Sequence, residues 1–235
     1  MVRISVIIPT YNEEKYIGRT LRSIRNQRYR DMEVIIADGN SSDRTVEIAK
    51  RIYKDVQICT DKRRGVARAC NKAAKMAVGD ILLFIDADTS ISDTMLHAYD
   101  RAFRRDIVAA TGPIRPLEHT TRAMAIAFQI ISVHMVTLLI KVRNPSIIAS
   151  NMAVSRKAFQ RIGGFDEKLV TYQDWNLSHR LGKIGKVAFV KDAVAYTSVR
   201  RVKKWGVAKY FAYHTSNAIL YHTRHRARED YEPIR

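Results

Sequence analysis

Residues 79–88 read GDILLFIDAD, and this stretch decides which fold the chain adopts. Positions 81–85 are continuously apolar, as expected of a strand that is covered on both faces. Two aspartates, Asp86 and Asp88, follow this strand directly. Strands of this kind occur mainly in parallel sheets, which bind their ligands beyond the carboxyl ends of the strands. The stretch therefore predicts a parallel α/β sheet with a polar site at its edge.

The same alternation of apolar strands and amphipathic helices extends on both sides of this stretch. It predicts strands at 4–8, 33–37, 56–59 and 108–110, and helices at 13–26, 43–52, 66–77 and 93–104. The resulting βαβαβαβ order is typical of a doubly wound, mostly parallel sheet.

Downstream of residue 112 the pattern is less regular. It predicts a long apolar helix at 120–141, strands at 147–154, 186–190 and 194–197, and helices at 156–162, 174–181 and 203–221. No Gly/Ser/Pro-rich linker and no block of charge divides the 235 residues. We therefore expect a single domain over 1–235.

Polar residues also follow the first two predicted strands. Pro9 ends the first strand, and Tyr11 then offers a ring that can stack on a base. Glu13 can accept hydrogen bonds from a ligand or simply lie in the first turn of a helix. Asp38 lies just beyond the second strand, where its carboxylate can accept a hydrogen bond from a base edge or a ribose.

Asp86 and Asp88 lie two positions apart after a buried strand, so their carboxylates converge if the chain stays extended. Each negative charge then disfavours ionisation of the other. A hard divalent cation such as Mg²⁺ or Mn²⁺ removes this repulsion and can bridge phosphate groups. The pair is therefore a candidate metal site.

Several motifs, in the same order along the chain, resemble the family-two inverting glycosyltransferases, which have the GT-A fold. The matching segments are SVIIPTYNEE at 5–14, DGNSSDRT at 38–45, GDILLFIDAD at 79–88, GGFDE at 163–167 and QDWNL at 173–177. The resemblance implies a Rossmann-like, doubly wound, mostly parallel sheet with a smaller mixed region on the acceptor side. It also divides the chain into a nucleotide-sugar-binding half at 1–112 and an acceptor-binding half at 113–235.

The resemblance assigns a role to many residues. Asp174 matches the catalytic base, and Asp86 and Asp88 match the residues that hold Mn²⁺ or Mg²⁺ and the donor diphosphate. The donor is a UDP-sugar, which we favour, or a GDP-sugar, and its other expected contacts are Pro9, Tyr11, Glu13, Asp38, Ala87 and Arg68. Contacts to acceptor or diphosphate are expected from Arg115, Asn151, Gln173, Trp175, Arg201 and Lys204.

The formal charge of +18 and the pI of about 10.1 attract anionic partners. The apolar stretch 124–140 is shorter than the ~20 residues of a membrane span. It is therefore expected to be a core helix, a homodimer interface or a helix lying on a membrane, with Arg122, Lys141 and Arg143 at its ends. A membrane contact would suit a lipid-linked acceptor on an anionic leaflet.

Two other classes of protein share part of this pattern. A nucleotidyltransferase has metal-binding carboxylates, but it would carry a Gly-rich basic loop where this chain has PTYNEE at 9–14. A nucleic-acid-binding protein would fit the charge, but the aromatic residues do not interleave with one basic stripe, so no nucleic acid is expected. The N-terminus lacks a signal-peptide pattern, and Cys59 and Cys70 form no motif. A cytoplasmic location, or a peripheral one on the inner face of the membrane, is expected.

Overall fold

The computed structural model describes residues 2–63, 65–224 and 227–228. Ten strands lie in these ranges: β1 (Ile4–Thr10), β2 (Met32–Asp38), β3 (Gln57–Thr60), β4 (Ile81–Phe84), β5 (Thr89–Ile91), β6 (Ile107–Thr111), β7 (Ile114–Pro116), β8 (Met152–Ser155), β9 (Lys186–Phe189) and β10 (Ala195–Thr197). Seven form a main sheet in the order β3-β2-β1-β4-β8-β6-β9. The other three form a small sheet in the order β5-β10-β7.

The main sheet is parallel except for β8, which runs antiparallel to both β4 and β6. The small sheet is mixed, because β10 is antiparallel to β5 and parallel to β7. A parallel core therefore brings the carboxyl ends of β1, β2, β3 and β4 to one edge, and the small sheet adds β10 from the second half of the chain.

Ten α-helices lie in the same described ranges. They are α1 (Ile17–Arg25), α2 (Thr45–Ile52), α3 (Val66–Met76), α4 (Met95–Phe103), α5 (Arg122–Gln129), α6 (Val136–Lys141), α7 (Arg156–Arg161), α8 (Gln173–Ile184), α9 (Arg200–Trp205) and α10 (Val207–Arg224). A π-helical segment, Ile130–Met135, joins α5 to α6. A 3-10 turn, Ala149–Asn151, precedes β8.

Both faces of the main sheet are covered by apolar side chains. Ile4, Val6 and Ile8 of β1 point into one core layer with residues of α1 and α4, whereas Ile7 points into the other layer. The second layer includes the small side chains of α3 and an aromatic group made by Phe84, Phe159 and Phe165. Burial on both sides explains why β4 is apolar at every position.

The elements predicted in the first half agree with the structure to within a few residues at each boundary, and the chain as a whole differs from the predictions in three places. The strand expected at 147–154 is confined to β8, because 149–151 form a 3-10 turn. The helix expected at 203–221 is two helices, broken at Gly206, whose φ of 78° lies in the region that favours glycine. The three-residue strands β5 and β7 were not predicted.

The long apolar helix expected at 120–141 is present as α5, the π-helical segment and α6. It covers Arg122–Lys141, 20 residues whose most apolar 18-residue window has a mean hydropathy of 2.1, so its length and composition match those of a membrane span. Only 11% of its most apolar window is buried. The expectation that this segment is too short to span is therefore wrong, and so is the alternative of a core helix.

Candidate active site

Acidic side chains from both halves of the chain gather beyond the carboxyl ends of β1 and β4. Glu13 and Asp88 are only 5% and 9% exposed. Burial raises the pKa of Asp86 to about 7, and the charges of Asp88, Asp174 and Glu13 act in the same direction. Asp86 thus senses the other three carboxylates, and negative charge is concentrated at the edge of the sheet where parallel sheets bind ligands.

The loop that carries the two aspartates is fixed by buried contacts. Ala87 is 4% exposed, and its carbonyl accepts a 2.6 Å hydrogen bond from Thr20 Oγ1 of α1. The carbonyl of Asp88 accepts a 3.2 Å hydrogen bond from the backbone amide of Ser198. The loop is therefore held on one side by α1 and on the other by the segment after β10.

Arg200, the first residue of α9, is the basic side chain that reaches these carboxylates. Its two terminal nitrogens donate to the two carboxylate oxygens of Glu13, each at 2.8 Å. Its Nε lies 2.9 Å from Asp88 Oδ2, and its guanidinium lies 4.4 Å from the centroid of the Tyr16 ring. Burial raises the pKa of Asp88, whereas the positive charge of Arg200 opposes this.

Arg200 was missed by sequence reasoning, which named its neighbours Arg201 and Lys204. The guanidinium of Arg201 instead lies 5.0 Å from the Trp205 ring, and Lys204 is exposed. Arg115 is exposed on β7, and the structure does not bring it to the carboxylates. The signal that favours Arg200 is its position, three residues after β10 ends.

Asp174 lies in the first turn of α8. Its Oδ1 accepts a 2.8 Å hydrogen bond from the amide of Trp175, and its Oδ2 accepts one of 3.2 Å from the amide of Ala149. Burial raises the pKa of Asp174, and these backbone hydrogen bonds oppose the rise. The residue before α8, Tyr172, bends the chain into the helix with a φ of 65°, which is uncommon outside glycine. The carboxylate is thus held in one orientation.

Two further residues next to Asp174 matter for what the site can bind. Gln173 Oε1 is buried and has no hydrogen-bond partner among the described residues. The ring of Trp175 packs among Tyr172, His179 and Tyr221, so this side chain stabilises the segment. Gln173 therefore keeps a free acceptor beside the proposed base.

Tyr210 of α10 is a second residue that the sequence did not indicate. Burial raises the pKa of Tyr210; Arg201 opposes the rise, and the charges of Asp174 and Asp86 add to it. These interactions place the phenol near the acidic group. The chain has eleven tyrosines, and no sequence pattern distinguishes this one from the others.

Asp38 holds together the ends of β1 and β2. It is 2% exposed, and its carboxylate accepts hydrogen bonds from Thr10 Oγ1 at 3.2 Å, Ser41 Oγ at 2.6 Å and the Ser41 amide at 3.1 Å. Tyr11 comes directly after the last residue of β1, and its ring lies beside Gly39. Pro9 lies in β1, opposite Ala37 of β2. The expected contact of these residues with a nucleoside stays a prediction.

Arg68 of α3 is already paired with two acids. Its Nε lies 3.0 Å from Asp61, which follows β3, and one terminal nitrogen lies 3.0 Å from Glu167. The Glu167 pair joins α3 to the segment before α8, because Asn71 also donates to Glu167 and to the carbonyl of Phe165. The structure thus gives Arg68 a role in joining the two halves, and a phosphate contact stays a prediction.

The side chain of Asn151 lies inside the fold, where it forms hydrogen bonds with three other segments. Its side chain is 0% exposed, its Oδ1 accepts from the hydroxyl of Tyr99, and its Nδ2 donates to the carbonyls of Ala193 and Pro113. Every one of these contacts lies inside the fold, and the expected contact of Asn151 with the donor or acceptor stays a prediction. The residue joins α4 to the segments that carry the small sheet.

A small cavity lies beside Asp88. A cavity of about 130 Å³ is lined by Lys15, Tyr16, Arg19, Thr20, Asp88, Leu117 and Glu118. It is smaller than the ~300–1,000 Å³ of a typical small-molecule site, so a larger ligand must also lie on the open edge of the sheet. Glu118 is fixed there by hydrogen bonds from Ser198 Oγ and the Val199 amide.

The donor atoms at the site suit a hard divalent cation. Asp86 and Asp88 offer carboxylate oxygens, which Mg²⁺ and Mn²⁺ prefer, and burial together with the neighbouring acids raises the pKa of Asp86, so a cation here would favour its ionised form. Within the described residues no group of three or more His, Cys, Asp or Glu side chains is arranged to hold a metal. Any metal held here would therefore complete its shell with oxygens of a ligand and water.

This sheet and the acidic strand ends define a GT-A fold, and comparisons with known proteins agree. The family described as Glycosyl transferase family 2 matches residues 5–163, and the chain belongs to that family. The predicted family and the predicted fold class, a mostly parallel sheet with a smaller mixed sheet, are confirmed. The interpretation as a nucleotidyltransferase is thereby disfavoured.

Three relatives illustrate the likeness. A Methanococcus voltae enzyme named dolichyl N-acetyl-alpha-D-glucosaminyl phosphate 3-beta-D-2,3-diacetamido-2,3-dideoxy-beta-D-glucuronosyltransferase is 38% identical over 91 residues, which cover 36% of this chain and 28% of that protein. The mannosyltransferase PcManGT of Pyrobaculum calidifontis, solved with GDP-Man and Mn²⁺, has a TM-score of 0.69 and 22% identity, covering 92% of this chain and 64% of that one. Residues 1–349 of S. aureus TarS, solved with UDP-GlcNAc, have a TM-score of 0.67 and 20% identity, and the match covers 84% of this chain and 59% of that one. This chain thus spans less than two thirds of each.

Proposed function

We propose that this chain transfers a sugar from a nucleoside diphosphate donor to an acceptor, with inversion at the anomeric carbon. The donor is a UDP-sugar in preference to a GDP-sugar, and the acceptor is a hydroxyl group or a lipid phosphate. The observation that carries the proposal is the meeting of Asp174 with Asp86, Asp88 and Glu13 beyond the strand ends. Family membership supports it.

The donor lies across the edge of the parallel sheet. Its nucleoside occupies the ends of β1 and β2, where Tyr11 can stack on the base and the polar junction around Asp38 faces the ribose. Its diphosphate lies towards Asp88, beside which the cavity opens. Among the solved relatives, one binds GDP-Man and another UDP-GlcNAc, so the shared fold accommodates either nucleotide.

Asp86 and Asp88 hold a divalent cation, Mn²⁺ or Mg²⁺. When bound, such an ion acts as a Lewis acid that neutralises charge on the leaving diphosphate. Arg200 already neutralises Asp88 and Glu13 in the metal-free protein, and its 2.9 Å contact uses only Oδ2 of Asp88. The other oxygen of that carboxylate therefore stays available as a ligand.

Asp174 is the general base that takes the proton from the acceptor hydroxyl. Backbone amides of Trp175 and Ala149 fix the orientation of its carboxylate, and burial raises its pKa, which makes it a stronger base. Gln173 Oε1, the unpartnered acceptor next to it, orients the attacking hydroxyl. A single displacement aided by one base inverts the anomeric carbon and requires no covalent intermediate.

The acceptor is lipid-linked, and the protein acts on the inner face of the membrane. The name of the relative from Methanococcus voltae includes a dolichyl-linked sugar phosphate, dolichyl N-acetyl-alpha-D-glucosaminyl phosphate. The net charge of +18 and the basic segment 200–205 suit such an anionic acceptor. These observations support a peripheral location on the cytoplasmic leaflet.

The proposal is tested by incubating the purified chain, with Mn²⁺, with a panel of UDP- and GDP-sugars and polyprenyl phosphate acceptors. Release of nucleoside diphosphate identifies the donor, and nuclear magnetic resonance of the product gives the anomeric configuration. We expect one nucleotide to be used and the product to have the configuration opposite to that of the donor. A product that retains the donor configuration would contradict Asp174 as the base of a single displacement.

A further inference from the structure

The helix Arg122–Lys141 leaves a row of large apolar side chains uncovered. This row, here called the apolar stripe, consists of Ile126, Ile130, Met135, Leu138 and Val142, which are 48%, 49%, 50%, 59% and 61% exposed. Its first four members lie on the helix, which is about 30 Å long, and Val142 follows directly after the helix ends. We infer that the apolar stripe docks on the surface of an anionic lipid bilayer, with the helix lying flat in the membrane interface.

The opposite side of the helix is seated on the protein. Ser132 Oγ donates a 2.9 Å hydrogen bond to the carbonyl of Ile114 in β7, and both Ser132 and Val136 are buried. Phe128 packs against the main core. A helix held along its length by the small sheet cannot cross a bilayer while these contacts persist. Its orientation therefore favours lying on the membrane over spanning it.

The charge around the apolar stripe is complementary to an anionic leaflet. Between residues 119 and 165 the sequence has no Asp or Glu and six basic residues: Arg122, Lys141, Arg143, Arg156, Lys157 and Arg161. Arg122 and Lys141 are exposed at the two ends of the helix, and Arg143 follows. Basic residues at both ends of an apolar face are typical of interfacial helices.

The same charges disfavour a second copy of the chain as the occupant. Two copies related by a two-fold axis would bring the Arg122 end of one helix either to the Arg122 end or to the Lys141 end of the other. Either arrangement sets like charges side by side without an acidic residue between 119 and 165 to separate them. An anionic lipid surface supplies the missing negative charge at both ends.

The helix is connected directly to the active site at both ends. Glu118, four residues before it, lines the cavity beside Asp88. Ala149, eight residues after it, donates its amide to Asp174. A membrane-bound helix would therefore hold the base and the metal-binding aspartates at a set height above the lipid headgroups, where a lipid-linked acceptor presents its reactive group.

The inference is tested by sedimentation of the purified chain with vesicles. One set contains phosphatidylcholine alone, and the other contains phosphatidylcholine mixed with phosphatidylglycerol. We expect binding to the anionic vesicles, weakened by high salt, and little binding to the neutral ones. Equal binding to both sets, or binding to neither, would overturn the inference.

Paired variants locate the docking face. Arg122→Gln with Lys141→Gln should weaken binding about 25-fold, since each basic residue near an anionic surface contributes about fivefold. Ile130→Ser with Leu138→Ser should weaken it at least about tenfold. Matched controls, Lys50→Gln with Arg51→Gln and Met76→Ser with Val78→Ser, change exposed residues elsewhere and should bind as the unaltered protein does.

Two outcomes would assign the apolar stripe to another occupant. Loss of a dimer in analytical ultracentrifugation for Ile130→Ser with Leu138→Ser, with vesicle binding unchanged, would assign it to a second copy. Resistance of the bound protein to alkaline carbonate would show a spanning helix. Nucleotide titration of the same variants separates this inference from the proposed function, because vesicle binding requires no sugar transfer.

Discussion

The two halves of this chain bury their apolar surface in different ways. In the half at 1–112, strands β1, β2 and β4 are covered on both faces, and the apolar sides of α1 to α4 are buried against them. In the half at 113–235, α5 has no buried residue and the apolar stripe faces solvent. The helices of the first half thus bury their apolar sides against the sheet, whereas the second half leaves a helix whose apolar surface is available to a partner outside the chain.

The two halves meet at the active site, and Asp174→Asn removes the proposed base, which the second half contributes to it. Asparagine keeps the shape of the side chain but cannot take a proton. We expect the rate of transfer to fall by ~10²–10⁴-fold while donor binding stays within about twofold. The rate is measured as nucleoside diphosphate released, and donor affinity by calorimetry. A variant that loses donor binding to the same degree would show that Asp174 acts as a structural residue.

Arg200 joins the halves electrostatically, because it lies in the second half and binds Glu13 and Asp88 of the first. Arg200→Gln removes the guanidinium charge from two buried acids, which costs about 3–5 kcal/mol of unfolding free energy. Thermal unfolding without metal should show this loss. Mn²⁺ should raise the Tm of Arg200→Gln more than that of the unaltered protein, because the ion replaces the missing positive charge.

Lys203→Gln is the matched control for Arg200→Gln, since Lys203 is exposed on the same helix. Its Tm should stay within about 1 °C of the unaltered value, because most exposed substitutions change stability by less than ~0.5 kcal/mol. Equal losses for the two variants would contradict the assignment of Arg200 as the cation that serves both carboxylates.

Asn151→Ala tests whether the second half depends on buried polar contacts where the first relies on apolar packing. The substitution leaves Tyr99, Pro113 and Ala193 without their hydrogen-bond partner. We expect a loss of about 3 kcal/mol, measured by urea unfolding. Asn26→Ala, at an exposed helix end, should change stability by less than ~0.5 kcal/mol. If Asn151→Ala kept its stability but bound the donor more weakly, Asn151 would be a ligand-binding residue instead of a structural one.

The acidic cluster predicts the smallest effect, a pH dependence of stability. Asp86 has a pKa of about 7 in the folded protein, above its usual value, because of burial and the neighbouring acids. The folded state then binds an extra proton between about pH 4 and pH 7, so metal-free stability is lost as pH rises through this range. Relative to Asp86→Asn, the Tm of the unaltered protein should fall by about 5–10 °C between pH 5 and pH 8. A constant difference would contradict the raised pKa.

The accuracy of the sequence predictions follows the same division between the halves. β4 and α3 were predictable because continuous apolar runs and helical spacing report local burial. The acidic strand ends could also be recognised, because like charges after a buried strand demand a cation or a ligand. The sequence alone could not distinguish Arg200 from Arg201, because the tertiary position of α9 decides which of these two adjacent arginines reaches Glu13.

Asn151 and the apolar stripe show the two other limits of the sequence. Asn151 lies in a segment that resembles a ligand-binding stretch of the family, but its contacts come from residues 38 to 52 positions away, which no local pattern reports. The helix at 122–141 was recognised as apolar, yet its sequence did not show whether a core, a copy or a membrane covers it. Exposure became visible only with the small sheet in place.

The most direct test of the central claim is a calorimetric titration of UDP and of GDP, with and without Mn²⁺, against the unaltered chain and Asp88→Asn. We expect one nucleotide to bind, to require the metal, and to lose at least about 10²-fold in affinity in the variant, since a bound metal contributes several kcal/mol to diphosphate stabilisation. Equal, metal-independent binding by both proteins, or no binding of either nucleotide, would contradict a donor site at the acidic strand ends.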